Sequence, residues 1–231
     1  MRTIEEIKQD SKPIIFLGSS NSMENLVEIC KLNNRKVLGI VDPDYMSQPE
    51  LHGLPILDKD TYFSQADHYE FFVASWWFPF KPPVFQRDRE KRNMLLGWMK
   101  EYNLTGANII HPTAVVSSST KIDRNVAIGA LSVILCNTTI HKNTVIREQT
   151  YISHDVEIGE NSVIQIKATV TGRIKIGKNA YIGVGSTIMN GMPITVMPIG
   201  DNVLVHPTML VLNELPDNAV VGLKSRTDPL G

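Results

Sequence analysis

Isoleucine or valine stands at every sixth position from Ile110 to Ile194, and short apolar strands alternate with helical patterns in the hundred residues before it. Together these predict two parts: an α/β amino-terminal domain of Rossmann type over residues 1–107, then an all-β, left-handed parallel β-helix of hexapeptide repeats over 108–231. A chain of 231 residues is long enough for two modest cores.

In the front part, residues 13–17 read as a buried strand, 18–22 as a glycine-led loop (Gly18, Ser19, Ser20, Asn21, Ser22), and 23–33 as a helix with Leu26, Val27, Ile29 and Cys30 inward. Residues 36–41 form the next strand, ending at Asp42, so the opening is a βαβ unit. A third strand follows at 71–74. A second helix over 88–102 places Met94, Leu95, Trp98 and Met99 on one stripe, with Arg87, Arg89, Lys91 and Arg92 read as a solvated face. Between them, the segment from Ser75 to Pro83 is aromatic and proline-rich and is read as a loop, either a ligand wall or a packed connection.

The second part is carried by its period. The aliphatics run through Val116, Ile122, Ile128, Ile134, Ile140, Ile146, Ile152, Ile158, Ile164, Val170, Ile176, Ile182 and Ile188 to Ile194. Four residues after most of them comes a small or β-branched residue, among them Thr120, Ser132, Thr138, Thr144, Thr150, Ser162 and Ser186. Neither a 3.6-residue nor a two-residue period gives this pattern. A triangular solenoid does, with one short strand and one turn per hexad and three hexads per coil. The repeat is expected to slip at Met197-Pro198 and resume at Ile199, Val205 and Val211.

Charged residues at 20%, apolar ones at 42% and a formal net charge of −1 make a polyanion-binding protein, and so a nucleic-acid partner, unlikely. Two distant cysteines, Cys30 and Cys136, lack metal-ligand spacing and are expected to be inert core residues in a reducing compartment. No apolar run reaches membrane-span length and no signal-peptide pattern is seen, so the expected location is cytoplasmic.

With the front βαβ, Gly39-Ile-Val-Asp42, Gly53-Leu-Pro-Ile-Leu57, Ile110-His-Pro-Thr-Ala-Val115, Ile152-Ser-His-Asp-Val-Glu-Ile-Gly159, Thr171-Gly172 and Ile182-Gly-Val-Gly-Ser186 in place, the chain resembles the hexapeptide-repeat sugar acyltransferases with a small Rossmann-like front domain. These include sialic acid O-acetyltransferases and N-acetyltransferases of nucleotide-linked amino sugars. The resemblance implies a homotrimer that transfers an acetyl group from acetyl-CoA, as co-substrate, to an amino or hydroxyl group of a sugar, with no metal.

Acyl transfer needs a base for the incoming nucleophile. His154, two residues past an inward isoleucine and hence at a turn, is the candidate, with Asp155 as its orienter. The resemblance supports this, since the family's catalytic histidine is followed by an acid and then an Ile-Gly turn. The same surroundings depart from the family in Arg147-Glu-Gln-Thr150, Ser153, Val163 and Ile166-Lys167. Thr171, Gly172, Gly183, Gly185 and Ser186 are expected along coenzyme A, with Lys224 meeting phosphate. Gly18, Ser19, Ser20 and Asn21 suit a sugar-nucleotide phosphate at a helix N-terminus, and Asp42 a base or sugar hydroxyl. A scaffold without catalysis is the main alternative. A zinc carbonic anhydrase built on His111, His141, His154 and His206 is a weaker one.

Overall fold

The computed structural model describes residues 1–20, 22–75, 83–190 and 194–222, with the side chains of 83–89 outside that description. The Trp76-Trp77 stretch, Asn21 and Lys224 lie outside the described residues.

From residue 109 onward the chain winds through short parallel strands, each pairing with those eighteen residues away through most of the run. They stack into three sheets. The first contains Ile109–Ile110, Ala127–Ile128, Val145–Ile146, Val163–Ile164, Tyr181–Ile182, Leu204–Val205 and Val220–Val221. A second runs from Val115–Val116 to Leu210–Val211 and a third from Lys121–Ile122 to Met197–Ile199. Parallel strands stacked in this way fit a left-handed β-helix. The hexad aliphatics from Ile122 to Ile188 are all buried in one core, with Val116 packed against it.

The small residues four positions on have a specific task. The hydroxyls of Thr120, Ser132, Thr138, Thr144, Thr150 and Ser162 each donate to a backbone carbonyl fifteen residues later, at 2.8–3.1 Å. A buried carbonyl at each turn is thereby satisfied without water. The residue before all of these but Thr120, and at the matching position of other hexads, is in the left-handed region: Asn125, Leu131, Asn137, Asn143, Gln149, Asp155, Asn161, Lys167, Arg173 and Asn179 have φ between 55° and 62°. Asparagine tolerates that conformation best, which explains its enrichment there. Its side chains also form a column, with Asn125 donating to Asn143 and Asn143 to Asn161.

The repeat breaks earlier than its sequence suggests. Ile194 is 83% exposed and belongs to no strand. Met197 pairs with Ile174 across twenty-three residues, so five residues are inserted after the strand Thr187–Ile188. Ile194 matches the period only by coincidence of spacing, and the inward role passes to Ile199.

The front part holds a three-stranded parallel sheet in the order β2 (Val37–Val41), β1 (Ile14–Leu17), β5 (Glu70–Val73). Helix α2 (Met23–Leu32) connects β1 to β2. The hairpin of β3 (Glu50–Leu51) and β4 (Leu54–Pro55), with helix α3 (Lys59–Phe63), leads to β5. The three strands read from the sequence pair in one parallel sheet, extended by single bridges Ile40–Ile56 and Phe71–Gly106, but a full Rossmann-type domain is not evident. One face, through Ile14, Phe16 and Phe72, packs with α2 against the first solenoid sheet at Ala127, Val145, Val163 and Tyr181. The other, through Ile15, Leu17, Phe71 and Val73, packs on Phe63 of α3 and Leu95 of α4 (Pro83–Glu101). The solenoid wall thus covers much of the face that further helices would cover in a doubly wound fold.

Three expectations need correction. Helix α4 begins at Pro83 rather than Asp88, since proline is well suited to a first helical position. Of the charges read as a solvated face, Arg92 is only 3% exposed, and Lys91 pairs with Asp42 and Asp44 at 2.7 and 2.9 Å. Side chains of Arg87 and Arg89 lie outside the described residues. Cys30 is buried and its thiol is pushed up to about 12 by desolvation, whereas Cys136 is exposed because it occupies a turn rather than the core.

Two contacts absent from the pattern hold the parts together. Helix α1 (Ile4–Ile7), with a Thr3–Glu6 capping box, buries Ile4 and Ile7 in the solenoid core beside Ile110 and Ile122, closing its first coil. Glu70 on β5 is 4% exposed and accepts from Arg35 at 2.6 Å and from Arg124, at a solenoid turn, at 2.8 Å.

Replacing Glu70 with alanine leaves the buried Arg35 without a carboxylate to balance its charge, so a loss of about 3–5 kcal/mol is expected in denaturant unfolding. Ile158→Ala, deep in the stack, should cost about 2–5 kcal/mol in the same measurement.

Candidate functional site

The turn that follows each strand of the second sheet stacks on its equivalents, bringing Cys136, His154 and Gly172 into one column. Asp155 N–H donates to the Cys136 carbonyl at 3.1 Å and Arg173 N–H to that of His154 at 3.1 Å. His154 therefore sits at a corner, its side chain 48% exposed.

Its ring is held on two sides. Asp155 has φ 56°, and this left-handed backbone turns its carboxylate back toward the preceding residue. Asp155 Oδ2 lies 2.8 Å from His154 Nδ1, and Oδ1 accepts from Asn137 Nδ2 at 3.1 Å. The carboxyl is held below the usual aspartate range, first by the bond to His154, then by that to Asn137. An ionised carboxylate only accepts, so Nδ1 carries the proton and the lone pair is on Nε2.

Beneath the ring lies Gly172. A Cβ there would come within 2.7 Å of Cε1 and 2.8 Å of Nε2. Glycine at 172 thus lets the imidazole lie flat against the next coil. The five-residue insertion emerges at this same corner: Asn190 N–H donates to Thr171 Oγ1 at 3.0 Å, and Asn190 Nδ2 to the carbonyls of Arg173 and Thr195. Thr171 is thereby tied to the insertion through its oxygen as acceptor.

The other expected cofactor residues are on a different corner, after the first sheet. Gly183 packs under His206 and Pro207, Gly185 has φ 65°, and Ser186 is fully buried. Ser186 Oγ donates to the His206 carbonyl at 2.8 Å and accepts from Met209 N–H at 3.1 Å, so its hydroxyl joins coils. One chain does not bring this group together with Thr171 and Gly172.

At the carboxyl ends of β1 and β2, Gly18, Ser19 and Asp42 do converge. Ser19 Oγ donates to Asp42 Oδ2 at 2.8 Å. Asp42 is fully buried, also accepts from Asp44 N–H, and is neutralised by Lys91. The sequence reading took Lys91 for a solvated charge; its position one turn before the inward Leu95, on the same helix face, was the available signal. Ser20 Oγ accepts from Ser22 N–H at 3.3 Å. Gly18 has φ 75°, and a Cβ would meet Leu95 at 2.5 Å, so α4 can approach the loop closely.

Among the described residues no group of three or more His, Cys, Asp or Glu could hold a metal, and no helix is long and apolar enough to cross a membrane. His141 is on a third corner, 3.2 Å from Glu157.

No protein-family model matches the chain, and no curated protein matches it in sequence. Solved structures do share its fold over almost the full length of both partners. PerB from Caulobacter crescentus, in complex with CoA and GDP-perosamine, superimposes with a TM-score of 0.75 at 23% identity, covering 91% of this chain and 94% of PerB. WeeI from Acinetobacter baumannii gives 0.74 at 22% identity, over 91% and 96%. The acetyltransferase domain of PglB from Neisseria gonorrhoeae, in complex with acetyl coenzyme A, gives 0.73 at 16% identity, over 91% and 96%.

Two measurements probe this corner. Gly172→Ala should fold with unchanged melting but displace the ring, seen as a shifted His154 imidazole resonance and weakened contact to Asp155. For Asp155, the titration midpoint of its carboxyl carbon should fall below the ordinary value of about 3.9. With a lowered midpoint, the contribution of the contact is fully present above the ordinary range and is lost as pH falls through the folded-state value. Asn137→Ala should move that midpoint upward.

Proposed function

We propose that the chain is an acetyltransferase that moves an acetyl group from acetyl-CoA to an amino group of a nucleotide-linked sugar, a hydroxyl acceptor being the variant of the same chemistry. The observation that carries this reading is the His154–Asp155 contact through Nδ1 at an exposed corner, which leaves Nε2 outside that contact. The fold is shared with proteins described as complexes with CoA and GDP-perosamine or with acetyl coenzyme A.

In this reading His154 Nε2 takes the proton from the acceptor nitrogen as that nitrogen attacks the thioester carbonyl. The tetrahedral adduct collapses, the C–S bond breaks, and the imidazolium returns the proton to the departing thiolate as coenzyme A. Asp155 holds the ring's tautomer and stabilises its charged form. Thr171 and Gly172 flank the reacting corner, while Gly183, Gly185 and Ser186 would border the cofactor from a neighbouring subunit. Lys224 would meet its phosphate. Three outward residues of the second sheet are large, apolar and exposed, Val115 at 61%, Tyr151 at 39% and Leu210 at 58%, which suits burial in a homotrimer. The three-stranded front sheet would serve as a reduced Rossmann-like unit over residues 1–107, its Gly18–Ser20 loop receiving the sugar nucleotide after Lys91 shifts from Asp42. A soluble cytoplasmic enzyme fits these substrates.

Titration of acetyl-CoA into the purified protein should show about one site per subunit, and thiol release with a panel of nucleotide-linked amino sugars should identify the acceptor. His154→Ala should reduce turnover by roughly a hundredfold or more, with acetyl-CoA binding retained. A well-folded protein that takes up no acetyl-CoA would point instead to a scaffold, and unchanged turnover in the variant would remove His154 as the base.

A further inference from the structure

The corner that carries His154 differs from the others in what runs along it. At the corner after the third sheet, equivalent turn positions hold asparagines that bond amide to amide: Asn125 to Asn143, Asn143 to Asn161, Asn179 to Asn202 and Asn202 to Asn218. At the His154 corner the matching position runs Ser119, Asn137, Asp155, Arg173. There the amide of Asn137 meets an acid instead of another amide.

Asp155 uses both carboxylate oxygens. Oδ2 lies 2.8 Å from His154 Nδ1 in its own turn, and Oδ1 accepts from Asn137 Nδ2 at 3.1 Å, one coil earlier. Asn137 is itself anchored: at φ 58° its backbone N–H donates to Ser119 Oγ at 3.0 Å. The next residue, Thr138, is fully buried, and its hydroxyl donates to the Ser153 carbonyl at 3.0 Å. Two adjacent side chains of one coil thus support the turn of the next. From the coil after, Arg173 N–H donates to the His154 carbonyl at 3.1 Å. The Asp155 carboxyl is held low first by the bond to His154, then by that to Asn137, with the Arg173 charge a smaller contribution.

The Asp155 side chain is 40% exposed, and a carboxylate on such a turn rotates about two torsions when one contact alone holds it. A second donor from the coil before fixes which oxygen faces the ring. A solvent-exposed amide–carboxylate bond contributes little to folding, because water competes for both partners. Its consequence here is orientation. We propose that Asn137 is a positioning residue: by holding Asp155 Oδ1 it keeps Oδ2 on His154 Nδ1, so the ring keeps its proton on Nδ1 and its lone pair on Nε2. Its role in turnover rests on the acetyltransferase reading above; its effect on the ring does not.

The test is NMR of the imidazole nitrogens in the full chain with isotope-labelled histidine, at a pH where the ring is neutral, together with steady-state kinetics. Wild type should show the Nδ1–H tautomer in excess. Asn137→Gly suits a left-handed turn but carries no amide; it should shift population toward Nε2–H and lower kcat roughly three- to tenfold, with the KM for acetyl-CoA little changed. Asn137→Asp keeps size and turn but sets one carboxylate against another, and should raise the carboxyl midpoint of Asp155. Asn179→Gly removes an equivalent amide contact at the third-sheet corner and should keep the wild-type tautomer and turnover. An unchanged tautomer ratio in Asn137→Gly, an unmoved Asp155 midpoint in Asn137→Asp, or an equal loss of turnover in Asn179→Gly would each overturn the assignment. A wild-type chain that transfers no acetyl group, while its tautomer still responds to Asn137→Gly, would uphold the positioning role and remove the acetyltransferase reading.

Discussion

The constraint on which the rest depends is the turn of the hexad. Each coil must turn three times within eighteen residues, and from Asn125 onward the solenoid does so mostly by placing one residue in the left-handed region immediately before an inward side chain. That placement lets a buried hydroxyl reach the carbonyl of a turn in the next coil, and it stacks asparagines into a column along one corner. The core aliphatics supply the driving force, but the hydroxyls and asparagines set the register at which coils stack, because a slip would leave buried carbonyls without donors.

The candidate base is a product of the same rule. Asp155 occupies the left-handed position of its turn, with its carboxylate within hydrogen-bond distance of His154. Gly172, one coil later, leaves room for the ring. The five-residue insertion adds to the solenoid at the corner where this pair is presented, and it ties Thr171 down through Asn190. The stacking that stabilises the fold therefore also orients the pair.

Attachment of the front part follows a different logic. Its sheet buries one face on α3 and α4 and the other on α2 and the first solenoid sheet, so the two parts share a hydrophobic interface rather than a linker. Polar contacts at its edge are charged and few. Arg92, fully buried and pushed down to about 10 by desolvation, donates to the carbonyls of Ser75 and Asn143, joining the end of β5 to a solenoid turn. Asn125 Oδ1 accepts from Val73 N–H at the same junction, so the asparagine column ends in the front domain.

By itself the sequence determined the solenoid, its inward aliphatics, the βαβ start and the His154–Asp155 pair, because each depends on residues at fixed local spacing. Fifteen hits at period six leave little freedom to a chain that must bury them. Tertiary structure alone decided what depends on contact between distant segments. Arg92 and Lys91 read as solvated because a helical wheel does not show what packs against it. Ile194 kept the period while an insertion carried it out of the core. The capping by α1, the Arg35–Glu70–Arg124 group and the neutralisation of Asp42 each join residues from different parts of the chain, and no local periodicity records such meetings.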